Sequence, residues 1–417
     1  MASNPPPLPS ELPPVAEGAP GVEDLQAALR PAWVDVDLAA LEHNLARIRE
    51  RLRGSEARVM AVVKADAYGH GAVGVSRALE GAGVDWLGVA LLEEGAEIRH
   101  GGVRLPILVL GTARPEKIAL YARYGLTPTL SSLAELTRWS EWTAGQREPQ
   151  PVHLKVDTGM SRLGVALDEA PRALEILRGS PGLRLAGLLS HFGDADDLES
   201  PRNPAQEERF TSVLALLTPG EREGSLIHMA NSAAALHLPE SRYALVRIGI
   251  AIYGLDPAER PDHPLPVAQR TDLRPVMSVR ARIVQLREVP AGTALSYGGR
   301  TVTRRRSRIA VVPVGYADGY AWRLTGKAEA LVRGRRVPVA GSVTMDMTLL
   351  DVTEAGAGLG DEVVLLGRQG PASWQQIDAR EMAASIGTIP WEVVCRLGTR
   401  IERLYDGAAS SLVDVTV

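Results

Sequence analysis

Short apolar stretches alternate with amphipathic ones along the chain up to about residue 250. The apolar stretches are continuous and rich in β-branched residues, which is typical of buried parallel strands. The predicted strands are 59–64, 84–90, 105–110, 126–130, 151–156, 183–190, 225–229 and 244–248. The amphipathic stretches have apolar residues at helical spacing. They predict helices at 38–52, 91–100, 115–124, 132–143, 168–179 and 204–217, the first of them capped by Asp37.

This repeated strand–helix unit predicts the α/β class. A doubly wound sheet fits each unit equally well, but eight units that close on themselves favour a (β/α)8 barrel. We therefore predict a barrel over residues 39–265.

The pattern changes after about residue 270. Strand-like stretches separated by Gly and Pro turns occur at 276–289, 309–314, 327–332, 336–339, 347–352 and 362–366. Helical periodicity returns only at 374–386. These features predict a mainly antiparallel β domain, formed by residues 32–38 together with 266–417. Residues 1–31 are rich in Pro, Ser and Glu, and we expect a disordered tail rather than a secretion signal.

Composition narrows the function classes. The net charge of −4 gives no electrostatic argument for binding nucleic acid or an acidic membrane. The single cysteine, Cys395, excludes an internal disulfide and a cysteine-based metal cluster. It fits a reducing compartment, so we expect a cytoplasmic protein. No apolar run approaches the roughly eighteen residues of a membrane span, and no metal site is expected.

Polar residues follow several of the predicted barrel strands. They are Lys64, Lys155, Ser190, His191, His228, Asn231, Ser232 and Arg247. Because the carboxyl ends of barrel strands meet at one face, we expect these side chains to form one site. Taken alone, Lys64 is either a strand-end lysine with its amine in solvent or a Schiff-base lysine with a desolvated amine.

The segment from Gly69 to Gly74 fits a different motif. It matches G-x-G-x-x-G after a strand, with Glu93 and Glu94 at about the spacing of a ribose-binding acid. By itself this predicts a dinucleotide site. The eight predicted strand–helix units favour a barrel and therefore weigh against a dinucleotide site. The alternative role of these glycines is to form a tight turn.

Eight motifs occur in an order that identifies a family. They are AVVKADAYGHG (61–71), LKVDTGMSRLG (154–164), SHFGDAD (190–196), HMANSAA (228–234), VRIGIAIYG (246–254), LSYG (295–298), VGYADGY (314–320) and GSVTMDM (341–347). From about Trp33 to Tyr405 the chain resembles the alanine racemases. These are pyridoxal 5′-phosphate enzymes with a barrel and a C-terminal β domain, and they supply D-alanine for the cell wall.

The resemblance implies two catalytic bases. Lys64 would hold the cofactor as a Schiff base and take the α-proton of the D-substrate, and Tyr297 would act on the opposite face. Inverting a stereocentre requires removing a proton on one face and returning it on the other, so two opposed bases are the minimum.

The same resemblance implies the cofactor and substrate contacts. The cofactor residues would be Lys64, Tyr68, His191, Ser232, Arg247, Gly249 and Ile250. Arg247 would donate to the pyridine nitrogen without giving it a proton, with His191 orienting it. The substrate residues would be Arg162, Tyr316, Met345 and Asp346. Lys155 matches a lysine that is carbamylated in this family, with an ordinary structural lysine as the alternative. The β domain would complete the partner's site in a homodimer.

Three positions differ from the family pattern. Trp391 stands where a tyrosine is usual, and Trp322 and Ser342 stand where arginines are usual. Asp196, the usual partner of the second arginine, is then expected to be unpaired. These changes leave both bases in place, but they keep open a racemase of broader range, acting on serine, lysine or arginine.

Two other pyridoxal-phosphate classes share parts of this plan. A barrel-type decarboxylase would be expected to pair the pyridine nitrogen with an acid and to use a cysteine near the substrate, so Arg247 and the lone Cys395 argue against it. A non-catalytic carrier is typically a lone barrel, so the β domain bearing Tyr297 argues against that class.

Overall fold

The computed structural model describes residues 30–260, 263–370 and 375–406. The predicted tail lies outside these residues except for its last two positions. Within them, no helix is long and apolar enough to cross a bilayer. The same residues contain no group of three or more His, Cys, Asp or Glu side chains placed to hold a metal ion.

Eight parallel strands form the first sheet. They are β2 (Arg58–Val62), β3 (Trp86–Val89), β4 (Ile107–Thr112), β5 (Leu126–Leu130), β6 (Gln150–Lys155), β7 (Leu183–Leu189), β8 (Leu226–His228) and β9 (Leu245–Ile248). Each pairs with the next from β2 to β8, and β9 pairs with β2. At the remaining seam, the amide of Ala244 donates to Ile227 (3.0 Å) and that of Arg247 to Ala230 (3.0 Å). The predicted barrel is confirmed.

Helices cover the outside of the barrel. They are α1 (Leu38–Arg51), α2 (Ala72–Gly81), α3 (Leu92–His100), α4 (Ile118–Tyr124), α5 (Leu133–Thr143), α6 (Ala170–Arg178), α7 (Arg202–Leu214), α8 (Pro219–Gly224) and α9 (Ser232–His237). As predicted, Asp37 caps α1, since its carboxylate accepts from the amide of Ala40 at 2.7 Å. Apolar residues at helical spacing, such as Leu41, Leu45 and Ile48, are fully buried against the strands.

The rest of the chain forms a mainly β domain. Its strands are β1 (Ala32–Asp37), β10 (Met277–Arg282), β11 (Gln285–Val289), β12 (Ala294–Leu295), β13 (Thr301–Val302), β14 (Ser307–Val312), β15 (Glu329–Val332), β16 (Arg335–Pro338), β17 (Thr348–Asp351), β18 (Glu362–Gln369), β19 (Gln375–Ile377) and β20 (Glu402–Asp406). One sheet has the order β16–β15–β18–β10–β1–β20 and another β11–β14–β17. The N-terminal β1 therefore lies within the C-terminal sheet, antiparallel to β10 and parallel to β20.

The helix predicted at 374–386 begins later than expected. Residue 374 lies outside the described residues, and Gln375–Ile377 form β19, which pairs with β18. Helix α10 spans Ala379–Ile386 and is capped by Asp378, whose carboxylate accepts from Arg380 N at 2.6 Å. Cross-strand pairing thus overrides the local helical periodicity. A short helix α11 follows at Pro390–Cys395.

The glycines of the apparent dinucleotide motif serve interdomain packing. A Cβ added to Gly69 would lie 2.3 Å from the carbonyl oxygen of Val394. A Cβ at Gly71 would lie 1.8 Å from Tyr405 Oη, and one at Gly74 would lie 2.5 Å from the same ring. The β domain therefore sits directly against this turn. Glu94, proposed as a ribose ligand in that interpretation, accepts from the amides of Ala90 (2.7 Å) and Leu91 (3.0 Å).

We predict that Gly71→Ala destabilises the chain by about 2 kcal/mol or more, because an L-residue is strained at a φ of +91° and its methyl group would overlap Tyr405. Urea unfolding gives the measurement. Gly81→Ala is the matched control: its φ is not positive and its Cβ meets open space, so stability should stay equal or rise. Equal midpoints for Gly71→Ala and the unchanged chain would contradict this close packing.

Candidate active site

Lys64 begins a left-handed turn at the end of the first barrel strand. The four residues from Ala65 to Tyr68 have φ between +52° and +55°. Each such L-residue costs about 1–2 kcal/mol, so the turn requires support. Ala65 N donates to Glu94 Oε1 (2.7 Å), and Ala67 N donates to the carbonyl of Val63 (2.9 Å). Strain held in this way is typical of functional sites.

The amine of Lys64 has a lowered pKa. The side chain is half-buried, and burial lowers its pKa, with the positive charge of Arg162 adding to the effect. Glu94 opposes this shift. A lysine with a lowered pKa is more often neutral and therefore more nucleophilic. A lowered pKa is what the Schiff-base interpretation of Lys64 requires, and that interpretation stays a prediction.

Arg247 is a buried cation at the end of β9. Its Nη2 donates to the carbonyls of Ser190 (2.7 Å) and Met229 (2.8 Å) and to His191 Nδ1 (3.0 Å). Its Nη1 donates to His228, at Nδ1 (2.8 Å) and at the carbonyl (3.2 Å). Within the described residues, none of these acceptors is a carboxylate, and Nε–H has no acceptor. Burial lowers the pKa of Arg247 to about 9, so the group stays charged at neutral pH.

The two histidines that contact Arg247 are neutral. Burial and the charge of Arg247 hold the pKa of His191 and of His228 well below the ordinary value. Since a guanidinium only donates, each Nδ1 must carry a lone pair, and the proton of each ring is on Nε2. His191 therefore keeps an Nε2–H that can donate to a further group. The predicted pairing of His191 with Arg247 is present.

A second group of residues meets where β9 ends. Ser232 Oγ accepts from the amides of Gly249 (2.9 Å) and Ala251 (3.5 Å). Tyr68 is buried, and a Cβ added to Gly249 would lie 2.6 Å from its hydroxyl. Ile250 begins the 3₁₀ turn Ile250–Tyr253, whose first amides have no partner inside the turn. Hydroxyls and backbone amides converge here, as they do in anion sites.

Tyr253 is a member of this group that the sequence analysis missed. Its ring lies 5.0 Å from that of Tyr68, and its hydroxyl donates to the carbonyl of Val62 at 3.0 Å. It therefore links the end of β2, just before Lys64, to the turn after β9. Its place within the quoted VRIGIAIYG motif was the available signal.

Positive charge dominates the barrel mouth. Burial lowers the pKa of Lys155 to about 8, and Arg247, Arg162 and Lys64 add to the effect. The carboxylate of Asp157 opposes this shift, but its Oδ1 already accepts from three consecutive amides of the next loop at 2.8, 2.9 and 3.1 Å. An anionic ligand would balance these cations.

The β-domain candidates do not meet Lys64 within one chain. The side chain of Tyr297 is 78% exposed, and Tyr316 and Met345 are also exposed. Asp346 pairs with Arg400 at 2.7 Å. The loops that carry these residues are tied together, since Ser342 Oγ donates to the carbonyl of Tyr297 (3.0 Å) and Tyr316 N to that of Thr344 (2.9 Å).

The three unusual entrance positions have different surroundings. Trp322 is exposed and lies under the guanidinium of Arg300, 5.2 Å from the ring centre. Ser342 is buried, and Trp391 is half-buried against the core. Asp196 is exposed.

The lone cysteine lies closer to Lys64 than its position late in the sequence indicated. Cys395 ends α11, and the amine of Lys64 acts electrostatically on its thiol. Burial nevertheless raises the pKa of Cys395 to about 11, so the thiol stays protonated at neutral pH.

We predict that Arg162→Gln raises the pKa of Lys64, because it removes a positive charge that disfavours the ammonium form. The ¹³Cε NMR titration of the ligand-free chain gives the measurement, since only four lysines are present: Lys64, Lys117, Lys155 and Lys327. Arg172→Gln is the matched control, because Arg172 lies on α6 and pairs with Glu175 in solvent. An unchanged titration of Lys64 in Arg162→Gln would show that the two charges are not coupled.

Comparison with known proteins assigns the family. The family model for the alanine racemase N-terminal domain matches residues 36–257, and that for the C-terminal domain matches 276–405. The alanine racemase of Halothermothrix orenii is 40% identical over 377 residues, 90% of this chain and 97% of that protein. That of Sorangium cellulosum is 42% identical over 390 residues, covering 90% and 99%.

Solved structures support the same family assignment. The Bacillus anthracis alanine racemase with bound L-Ala-P has a TM-score of 0.82 at 34% identity, covering 91% of this chain and 96% of that one. The Bartonella henselae alanine racemase with covalently bound pyridoxal phosphate has a TM-score of 0.79 at 28% identity, covering 91% and 100%. The chain therefore belongs to the alanine racemase family.

Proposed function

We propose that the chain is a pyridoxal-phosphate-dependent alanine racemase that interconverts L-alanine and D-alanine. The observation that carries the proposal is the half-buried amine of Lys64, with its lowered pKa, beside a cluster of cations at a barrel mouth. Membership of the alanine racemase family supports the same activity.

The residues present fit pyridoxal 5′-phosphate. Lys64 would hold it covalently, and the Nε–H of Arg247, which has no acceptor in the described residues, would donate to the pyridine nitrogen. Tyr68, Ser232 and the amides of Gly249 and Ile250 would hold the phosphate. When bound, the cofactor supplies the electron sink that makes the α-proton of an attached amino acid acidic.

Arg247 limits how far that sink operates. A guanidinium shares a hydrogen bond but keeps its proton, because its pKa stays above neutrality even when burial lowers it. A carboxylic acid at the same place would protonate the pyridine nitrogen. With the cofactor bound, the arginine would leave the pyridine nitrogen unprotonated and so weaken the electron sink, which suits a racemase better than a decarboxylase.

Two bases on opposite faces carry the proton. Lys64 would act on one face and Tyr297 on the other, as inversion requires. Because Tyr297 lies in solvent within one chain, a second copy must bring it to the barrel mouth. The exposed cluster of Tyr297, Tyr316, Trp322, Met345 and Met347 supports a homodimer, since exposed apolar surface of this kind marks interaction sites.

Substrate contacts come from both halves of the proposed site. Arg162 would face the substrate carboxylate or a cofactor oxygen from the barrel, while Tyr316, Met345 and Asp346 would come from the partner. A carbamate on Lys155 would place a negative charge between Arg162 and Arg247, the two arginines that lower the pKa of its amine.

Cellular role and location are further proposals. The product D-alanine would serve as a peptidoglycan precursor. The single cysteine in 417 residues supports a reducing compartment, and we propose the cytoplasm.

We predict that Lys64→Ala and Tyr297→Phe are each nearly inactive and that co-expression restores activity. Random pairing gives hybrid dimers with one intact site, so racemisation of L-alanine should return to roughly a quarter of the unchanged level. Chiral chromatography of the product gives the measurement. Assays with free serine, lysine and arginine as substrates, run beside alanine, measure the effect of Trp322, Ser342 and Trp391 on substrate range.

Lys327→Ala is the matched control for this complementation, since Lys327 is exposed on the β domain. Co-expressed with Tyr297→Phe, it should give no more racemase activity than the Lys327→Ala chains themselves supply. No recovery in the Lys64→Ala and Tyr297→Phe mixture, with dimers present by light scattering, would exclude a shared site. No racemisation of alanine by the unchanged holoenzyme would exclude the proposed function itself.

We predict that Lys155 reacts with CO₂, because an amine with a pKa near 8 has a substantial neutral fraction at pH 8. In ¹³C-bicarbonate the chain should show a carbamate carbonyl signal that Lys155→Arg removes and Lys327→Arg keeps. Absence of the signal in the unchanged chain would leave Lys155 as an ordinary structural lysine.

A further inference from the structure

The barrel interior holds a polar group below the proposed cofactor site. Thr129, His153, His228 and Arg247 are buried, the first three completely and Arg247 with 3% exposure. They come from β5, β6, β8 and β9 respectively. Barrel interiors are usually filled with branched apolar side chains, so a polar group of this size needs an explanation.

Hydrogen bonds connect three members of this group in a defined direction. Arg247 Nη1 donates to His228 Nδ1 at 2.8 Å, and His228 Nε2 lies 2.9 Å from His153 Nδ1. Because Arg247 only donates, the proton of His228 is on Nε2 and points to His153. The proton of His153 is then on its own Nε2. Each link fixes the tautomer of the next.

The chain of hydrogen bonds ends at His153 Nε2, and a second unpartnered atom, Thr129 Oγ1, lies on the neighbouring strand. His153 Nε2 and Thr129 Oγ1 are both buried, and neither has a hydrogen-bond partner in the described residues. Thr129 and His153 are neighbours in register on β5 and β6. An unpartnered buried polar group lowers stability, and an apolar side chain would avoid this cost. Stability therefore does not explain the presence of His153.

The backbone leaves room for this histidine. A Cβ added to Gly187, the residue paired with His153 on β7, would lie 2.5 Å from the imidazole ring. On another side, the ring of Trp86 lies 5.7 Å away. The imidazole is thus held between β3 and β7, and its Nδ1 is directed at His228.

We propose that His153 is a positioning residue for the racemase site. It accepts the Nε2 proton of His228, which keeps the His228 Nδ1 lone pair on Arg247 and holds the guanidinium in the orientation that leaves Nε–H for the pyridine nitrogen. Without this acceptor, the Nε2–H of His228 would be buried with no partner, and the ring would no longer be held with its Nδ1 toward Arg247. The role of Arg247 rests on the proposed function, but the tautomer chain itself does not.

The first test uses the unchanged, cofactor-free chain with ¹⁵N-labelled histidine. At pH 7 the ring nitrogen shifts of His153 and His228 should show neutral rings protonated at Nε2, with assignments from His153→Asn and His228→Asn. A ring of His228 that is protonated at Nδ1, or at both nitrogens, would overturn the proposal. This measurement does not depend on whether the chain racemises alanine.

The second test uses holoenzyme reconstituted with pyridoxal phosphate labelled with ¹⁵N at the ring nitrogen. His153→Phe removes the acceptor, so the ¹⁵N shift should move and the dissociation constant of the cofactor should rise roughly tenfold, about the value of one hydrogen bond. His153→Asn keeps an oxygen near the Nδ1 position and should restore both values.

An unchanged ¹⁵N shift in His153→Phe, or equal effects of Phe and Asn, would overturn the positioning role. If His153→Phe does not fold, the smaller variant His153→Leu, which also lacks an acceptor, replaces it with the same expected results. If the unchanged chain neither binds the cofactor nor racemises alanine, the proposed function fails separately.

Discussion

The guanidinium of Arg247 is the charge around which the barrel mouth is arranged. It is buried, and in the described residues it contacts only carbonyls and imidazoles. Burying a cation without a carboxylate is costly unless dipoles surround it. The carbonyls at the ends of β7 and β8 and two neutral histidines supply them. That arrangement keeps His191 and His228 neutral and leaves the site positive.

The strained turn after Lys64 depends on both domains. Its left-handed residues are held from the barrel by Glu94 and from the β domain by Arg403, which donates to the carbonyl of Gly69 at 3.1 Å. Val394 and Tyr405 occupy the space that side chains at Gly69 and Gly71 would need. Thus the β domain contributes to the position of Lys64 in its own chain, besides the partner role proposed for Tyr297.

The two domains contribute different groups to the proposed site. The barrel collects cations, hydroxyls and backbone amides at one mouth, where the proposed cofactor phosphate and substrate carboxylate would lie. The β domain presents exposed aromatic and sulfur-containing side chains on loops that are hydrogen-bonded to one another. Neither half has both proposed bases, which makes assembly a requirement for the proposed reaction rather than an aid to stability.

The sequence by itself determined the barrel and the residues at its mouth, because burial of parallel strands and amphipathic helices leaves a periodic apolar pattern and polar residues interrupt it where strands end. The tertiary structure alone decided the left-handed turn, since local preference favours right-handed backbone for Ala65 to Tyr68. It alone showed that the glycines at 69–74 admit the β domain, and that β19 replaces part of a predicted helix. His153 lies two residues before Lys155 in a predicted strand, so the sequence places both side chains on the same face of that strand. Its hydrogen-bond partner, His228, lies in another strand 75 residues later. Contacts of that kind depend on how strands close into a barrel, and no local pattern records them.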